Sequence, residues 1–252
     1  MVVMKIMGHD QNLSPFIVCL QSMLSNKLNN TAILIFANSP CEELKHKPFA
    51  KDGNLFNSLT KRTLKIVKKA ALPYFHITEK QQLGNSFGER FVNSMQMVFD
   101  QGFDNVITIG NDTPLLKTVH LVEAHRVLQN KKPILGPSTD GGFYLLGLHR
   151  SQFDPVAFKN LPWQTSNLIH KLIRLLHLSN LETVYLPTLF DLDKAADLKI
   201  LVRFTRQVGP THKKIILFLT TPTRGQVFSD KFNFVEISDA QIPFNKGSPI
   251  SF

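Results

Sequence analysis

Residues 104–148 read DNVITIGNDTPLLKTVHLVEAHRVLQNKKPILGPSTDGGFYLLGL. The stretch opens on Val106, Ile107, Thr108 and Ile109, a short β-branched run bounded by turn formers, which reads as a buried strand. The run stops at Gly110-Asn111-Asp112, and Thr113-Pro114 has the form of an N-cap followed by proline at the first helical position. The helix expected from there carries Leu115, Leu116, Val119, Val122 and Val127 and fades at Gln129-Asn130. A strand over Pro133–Leu135, a turn over Gly136–Gly142 and a third apolar run over Phe143–Leu148 follow.

This order leaves two carboxylates, Asp112 and Asp140, just past the ends of neighbouring strands. In open α/β sheets, ligands bind in the crevice beyond the carboxyl ends of the strands. A carboxylate held there can ligate Mg²⁺ or Mn²⁺, which in turn holds a diphosphate. Each aspartate also has a plainer reading. A carboxylate before a helix satisfies free backbone N–H groups, and Asp-Gly-Gly is a common turn.

Upstream, Thr31–Ala37 (TAILIFA) is the first strong strand, followed by Asn38-Ser39-Pro40-Cys41-Glu42-Glu43-Leu44-Lys45-His46-Lys47. A phosphate-binding loop is expected at this place in an α/β domain. This one lacks the glycines that let backbone approach phosphate, so contact would come through the charges of Lys45 and Lys47. A helix over Leu55–Leu72 ends at Pro73, and a short strand over Tyr74–Thr78 follows. Ser86, with Glu89 three residues on, forms a capping box for a helix whose apolar face is Phe87, Phe91, Met95, Val98 and Phe99. Downstream, Thr165 or Ser166 caps a helix carrying Leu168, Ile169, Leu172, Ile173 and Leu176. Thr183–Leu186 is another strand, Asp193 is an N-cap for a helix over Ala195–Arg206, and Lys213–Thr220 is a last strand. The alternation predicts a three-layer α/β/α sandwich with a mostly parallel sheet. The expected organisation is an N-terminal arm over 1–30 (Met23 being a natural start in front of the first strand), a domain over 31–206 and a C-terminal appendage over 207–252.

Composition limits the function classes. In 252 residues, 43% hydrophobic and 19% charged content is that of a globular chain. No apolar run is long enough to span a bilayer, and His9, Asp10, Gln11 and Asn12 interrupt any signal-peptide core, so the cytoplasm is the expected compartment. Cys19 and Cys41 form no ligand cluster, which argues against structural zinc and a disulfide framework. The net charge is +10. Much of it lies between Glu42 and Lys80, which suits an anionic partner or simply a solvated face. No basic motif interleaved with aromatics points to nucleic acid. GxGxxG, Walker A and GxSxG motifs are absent, against dehydrogenase, P-loop NTPase and α/β-hydrolase readings.

The blocks AILIFANSP, QLGNSFGERF, ITIGNDTPLL, LGPSTDGGFYLLGL, LPWQTS and DLDKAADL occur in this order. Together they resemble the DUF2064 family of GT-A-like bacterial glycosyltransferases, over roughly Thr31–Val202 and best over Gln82–Leu148. The resemblance implies a nucleotide-diphospho-sugar transferase fold, a nucleotide or nucleotide-sugar donor and a divalent metal, Mg²⁺ or Mn²⁺. It implies donor contacts at Asn38, Pro40, Lys45, Lys47, Gly84, Asn111 and Asp112, with Lys45 assisting catalysis. It sets Asp140, the candidate base, on the sugar or acceptor side with Gly141 and Gly142, and Trp163 and Thr165 at the acceptor's edge. Asp191 and Asp193 resemble a late Asp-x-Asp that completes a metal site with Asp112 or caps a helix. Trp163 stacks on a sugar or packs in the core.

The chain departs from the family pattern after the first strand. Family members carry a glycine followed by Val-Lys-Thr-Arg-Leu, whereas Glu43-Leu44-Lys45-His46-Lys47-Pro48 stands here. Lysine for arginine gives up bidentate phosphate recognition. Two functional readings follow. One is a metal-dependent glycosyl- or nucleotidyltransferase with an unnamed acceptor. The other is a GT-A-like binding or scaffold module that has lost catalysis. A nucleic-acid-associated protein is the weakest reading, supported by net charge alone. A homodimer through an edge strand at Lys214–Leu219 is a further expectation.

Overall fold

The computed structural model describes residues 30–47, 49, 53–177 and 182–198. Among these residues, six strands form one sheet in the order β2-β1-β3-β5-β4-β6. They are β1 (Thr31–Phe36), β2 (Tyr74–Ile77), β3 (Asn105–Ile109), β4 (Ile134–Pro137), β5 (Phe143–His149) and β6 (Val184–Tyr185). Strand β1 runs parallel to β2 and β3, and β4 parallel to β6. Only β5 is reversed, antiparallel to both β3 and β4. The predicted mostly parallel sheet is therefore observed, with its one reversal set by the tight Ser138–Gly142 turn, too short for a parallel crossover.

The helices are α1 (Pro40–His46), α2 (Asn54–Lys69), α3 (Phe87–Asp100), α4 (Thr118–Leu128), α5 (Pro155–Lys159) and α6 (Leu168–His177). Alternation in β1 sorts them into two layers. Ile33 and Ile35 face a cluster with Val67 of α2 and Leu121, Ala124 and Leu128 of α4. Ala32 and Leu34 face Phe91, Met95 and Val98 of α3, Phe158 of α5 and Leu172 and Leu176 of α6. The three-layer sandwich follows from strands buried on both faces. Among the described residues, no helix is long and apolar enough to cross a membrane.

Two local expectations are corrected. The helix after β3 does not begin at Thr113-Pro114. Residues 113–116 form a turn, closed by the Leu116 N–H on the Thr113 carbonyl, and α4 starts at Thr118. The carbonyls of Pro114 and Leu116, which a helix would have used, accept instead from Arg62 Nε at 2.9 Å and Nη2 at 3.1 Å. Consequently Val119 and Val122 are exposed, and Leu121, Ala124, Val127 and Leu128 make the buried face. The stretch after β1 is a helix rather than a loop. Ser39 caps it by accepting from the Glu42 N–H, with Pro40 in its first turn. The capping box of Ser86 and Glu89 is present as predicted. The expected strand at Lys213–Thr220, the dimer edge at Lys214–Leu219, most of the helix at Ala195–Arg206, the arm before residue 30 and the appendage after 206 lie outside the described residues.

Candidate active site

The carboxyl ends of β1, β3, β4 and β6 open on one side of the sheet, and the loops leaving them carry the candidate residues. The loop after β3 is pinned to the one after β6, because Leu192 N–H donates to the Asp112 carbonyl at 2.9 Å. Thr113 Oγ1 donates to Asp191 Oδ1 at 2.6 Å. Gly110 lets the Asp112 side chain fold back over the strand end, since a Cβ there would stand 2.8 Å from Asp112 Oδ1. The loop after β4 joins this group through the Thr139 N–H, which donates to the Leu189 carbonyl at 3.0 Å.

Lys47 lies at the centre. At the C-cap of α1 it turns its side chain inward, where only 12% of it remains exposed. Its ammonium pairs with Glu43 Oε1 at 2.8 Å, Asp112 Oδ2 at 2.9 Å and Asp193 Oδ1 at 2.8 Å. Three N–H donors thus meet three carboxylates. Burial opposes the charge, but Asp112, Asp193 and Glu43 outweigh it and hold the ammonium well above the usual lysine range. Glu43 is itself buried and accepts from Asn38 Nδ2 at 3.0 Å. Burial, and then the charge of Asp112, push the Asp191 carboxyl well above the usual carboxylate range. Asp193 is raised for the same first reason, with Lys47 pulling the other way.

The other expected residues divide. Asn111 is buried and donates to Thr60 Oγ1 at 2.9 Å, bracing the loop from within. Asp140 is exposed, and its Oδ1 accepts from the Gly142 N–H at 2.9 Å and from Ser138 Oγ. It is therefore the turn residue that Asp-Gly-Gly suggests, yet its charge acts on both Asp191 and Asp193. Gly141 has φ +92° and its Cα faces the Ser166 carbonyl, which a Cβ would meet at 2.9 Å.

Lys45 is corrected as a central residue. It stands on the outer side of α1, 71% exposed and paired with Glu42, because it is two positions from Lys47 and helical neighbours two apart face different ways. Trp163 packs against Phe87, Phe91 and Phe143, and its indole N–H donates to the Phe158 carbonyl at 2.8 Å. Its ring is part of the α3–β5 aromatic core. Thr165 turns its hydroxyl to the Pro162 carbonyl. Gly84 (φ +136°) belongs to the exposed turn before α3, and Pro40 starts α1.

Sequence reasoning missed the roles of Arg62, Thr113 and Glu43. The Glu43–Lys47 spacing of four, the commonest ion-pair spacing on a helix, was the signal for one of them.

The family model described as an uncharacterized protein conserved in bacteria, DUF2064, matches residues 59–165. That stretch is similar to the DUF2064 family. Within it stand the β3 loop with Asn111 and Asp112 and the turn with Asp140. No curated protein matches the chain. Among solved structures, the chain is similar to a protein from Desulfovibrio desulfuricans G20 named "putative nucleotide-diphospho-sugar transferase". They share 21% identity and a TM-score of 0.66, over 76% of this chain and 98% of that one. This shows the nucleotide-diphospho-sugar transferase fold. Looser likenesses are to Rv0371c of Mycobacterium tuberculosis H37Rv, solved in complex with manganese (12% identity, TM-score 0.41, over 69% of this chain and 98% of that one), and to a cytidylyltransferase from Leptospira borgpetersenii (13%, TM-score 0.40, over 75% and 93%).

Among the described residues, no three acidic, histidine or cysteine side chains converge by themselves on one metal position. Asp112 Oδ2 and Asp193 Oδ1 do converge, both lying within 2.9 Å of one nitrogen. Mg²⁺ is commonly held by one or two carboxylates plus water and substrate phosphates rather than by an all-protein cage. Two hard oxygen donors at a strand-end crevice fit that mode.

Proposed function

We propose that the crevice at the carboxyl ends of β1, β3 and β4 binds a nucleotide-diphospho donor and that the protein is a glycosyl- or nucleotidyltransferase. The observation that carries this reading is the convergence of Lys47, Asp112 and Asp193 on one point of that crevice, within the fold shared with the Desulfovibrio protein. In this reading Asp112 and Asp193 hold Mg²⁺ or Mn²⁺, with Asp191 behind them. When bound, the ion would neutralise charge on the leaving diphosphate. Lys47 supplies the chain's own cation beside it, a point charge suited to phosphate oxygens. Asn111 and Arg62 tie the β3 loop to α2, and Thr113 ties it to Asp191, so the charges are preorganised. Asp140 lies on the acceptor side, and because its bonds among the described residues use Oδ1, its Oδ2 is left to take a proton from an acceptor hydroxyl.

The test is a thermal-shift panel of nucleoside diphosphates, triphosphates and nucleotide-sugars, each with and without Mn²⁺ or Mg²⁺, on the wild type and Asp112→Ala. A metal-dependent shift with one nucleotide, absent in the variant, supports the reading. A flat response across the panel defeats it.

A further inference from the structure

The charge arithmetic at Lys47 has a consequence for the order in which ligands enter. The two oxygens best placed for a divalent ion, Asp112 Oδ2 and Asp193 Oδ1, are the two that the Lys47 ammonium bonds from the C-cap of α1. A second cation on these oxygens is weakened by the ammonium already within bonding distance of both, since like charges repel strongly in a mostly buried site. The ammonium is also not bound to these two partners alone. Glu43, one turn earlier on α1, holds it at 2.8 Å and is itself fixed by Asn38. A lysine ammonium on a four-carbon stem can pivot about such an anchor, unlike a planar guanidinium fork. If it does so, Asp112 and Asp193 are freed while Lys47 keeps one carboxylate partner.

We infer that Lys47 is a resident cation that keeps divalent metal off Asp112 and Asp193 until a diphosphate draws its ammonium away, so that metal and nucleotide bind together and metal alone does not. This rests on reading Asp112 and Asp193 as the metal-holding pair, and it adds a regulation of that site. A diphosphate would offer Lys47 replacement oxygens, and Asp112 and Asp193, once vacated, would be free to hold the metal beside those phosphates. The coupling is reciprocal. A ligand that moves Lys47 strengthens metal binding, and metal strengthens the binding of that ligand by the same factor.

The experiment uses the full chain and Mn²⁺ alone, with free ion counted by its electron paramagnetic resonance signal. Wild type, Lys47→Met, Lys47→Arg and Lys47→Met/Asp112→Ala are compared, with circular dichroism confirming the fold of each. Lys47→Met should bind one Mn²⁺ at least about tenfold more tightly than wild type, since the opposing charge is gone. Lys47→Arg should stay as refractory as wild type, and the double variant should lose the site. Should Lys47→Met alone fail to fold, Glu43→Gln/Lys47→Met removes one carboxylate with the cation and carries the same comparison. Equal Mn²⁺ affinity in wild type and Lys47→Met, lost in Asp112→Ala, would overturn the resident-cation inference and leave the metal site standing. Mn²⁺ bound by neither, with or without added uridine, cytidine or guanosine diphosphate, would overturn the metal-holding reading itself.

Discussion

The Lys47 ammonium stands 2.9 Å from Asp112 Oδ2, across 65 positions of sequence, and this one contact joins the end of α1 to the end of β3. Removing one member of a buried ion pair leaves the others uncompensated. Lys47→Met strands Glu43, Asp112 and Asp193 together, and a loss of about 3–5 kcal/mol is expected in urea melts. Lys45→Ala, which breaks only an exposed pair with Glu42, should leave the midpoint unchanged. The contrast between two lysines two residues apart is itself the check.

Asp191 carries a pH dependence. Its pKa in the folded protein is raised well above the ordinary 3.8, first by burial and then by Asp112. The unfolded chain therefore loses this proton at lower pH than the folded one. The stability tied to Asp191 is fully present below the ordinary carboxylate value and falls as pH rises toward the raised one. Asp191→Asn keeps an oxygen for the Thr113 hydroxyl and removes the charge. At about pH 7 it should stabilise the protein by about 1–3 kcal/mol, with the gain shrinking toward pH 4. Thermal melts across that range measure it. Donor binding should weaken in the same variant, the usual opposition of stability and function at a charged site.

Gly141→Ala tests the turn that carries Asp140. The residue sits at φ +92°, and a Cβ would meet the Ser166 carbonyl at 2.9 Å. A loss of about 1–3 kcal/mol is expected, with a fall in turnover because Asp140 shifts with its turn. Unchanged melting and turnover would mean that the turn tolerates the side chain.

Arg62 holds the loop after β3 by its backbone, donating to the Pro114 and Leu116 carbonyls. Arg62→Ala should cost about 1.5–3 kcal/mol, the range for hydrogen bonds from a charged group. Hydrogen exchange should rise over residues 112–118 rather than across the sheet. Protection lost evenly along β3 would place the role of Arg62 elsewhere.

The layers were legible because β1 and β3 are apolar on both faces and the intervening helices repeat at helical spacing, so Ile33 and Leu34 could only go to opposite sides. Asp112 and Asp140 were legible as strand-end carboxylates for the same reason. What failed to show was tertiary. Thr113-Pro114 has the local form of a helix start, but Asp191 takes the hydroxyl and Arg62 the carbonyls, and neither partner is close in sequence. Lys45 and Lys47 look alike as basic residues near a strand end. Their difference appears only once the stretch is a helix, which turns one to solvent and leaves the other at its end, facing Asp112 and Asp193. Trp163 carried two readings, and its ring went to the core with Phe87, Phe91 and Phe143.

The most direct test of the donor site is isothermal titration of the nucleotide that gives the largest thermal shift, with Mn²⁺ present, into wild type, Asp112→Ala and the distant surface variant Lys65→Ala. A nucleotide held at the Lys47–Asp112–Asp193 crevice should lose affinity by about tenfold or more in Asp112→Ala, equivalent to about 1.4 kcal/mol, and bind Lys65→Ala as it binds wild type. An affinity equal in all three proteins would contradict the site.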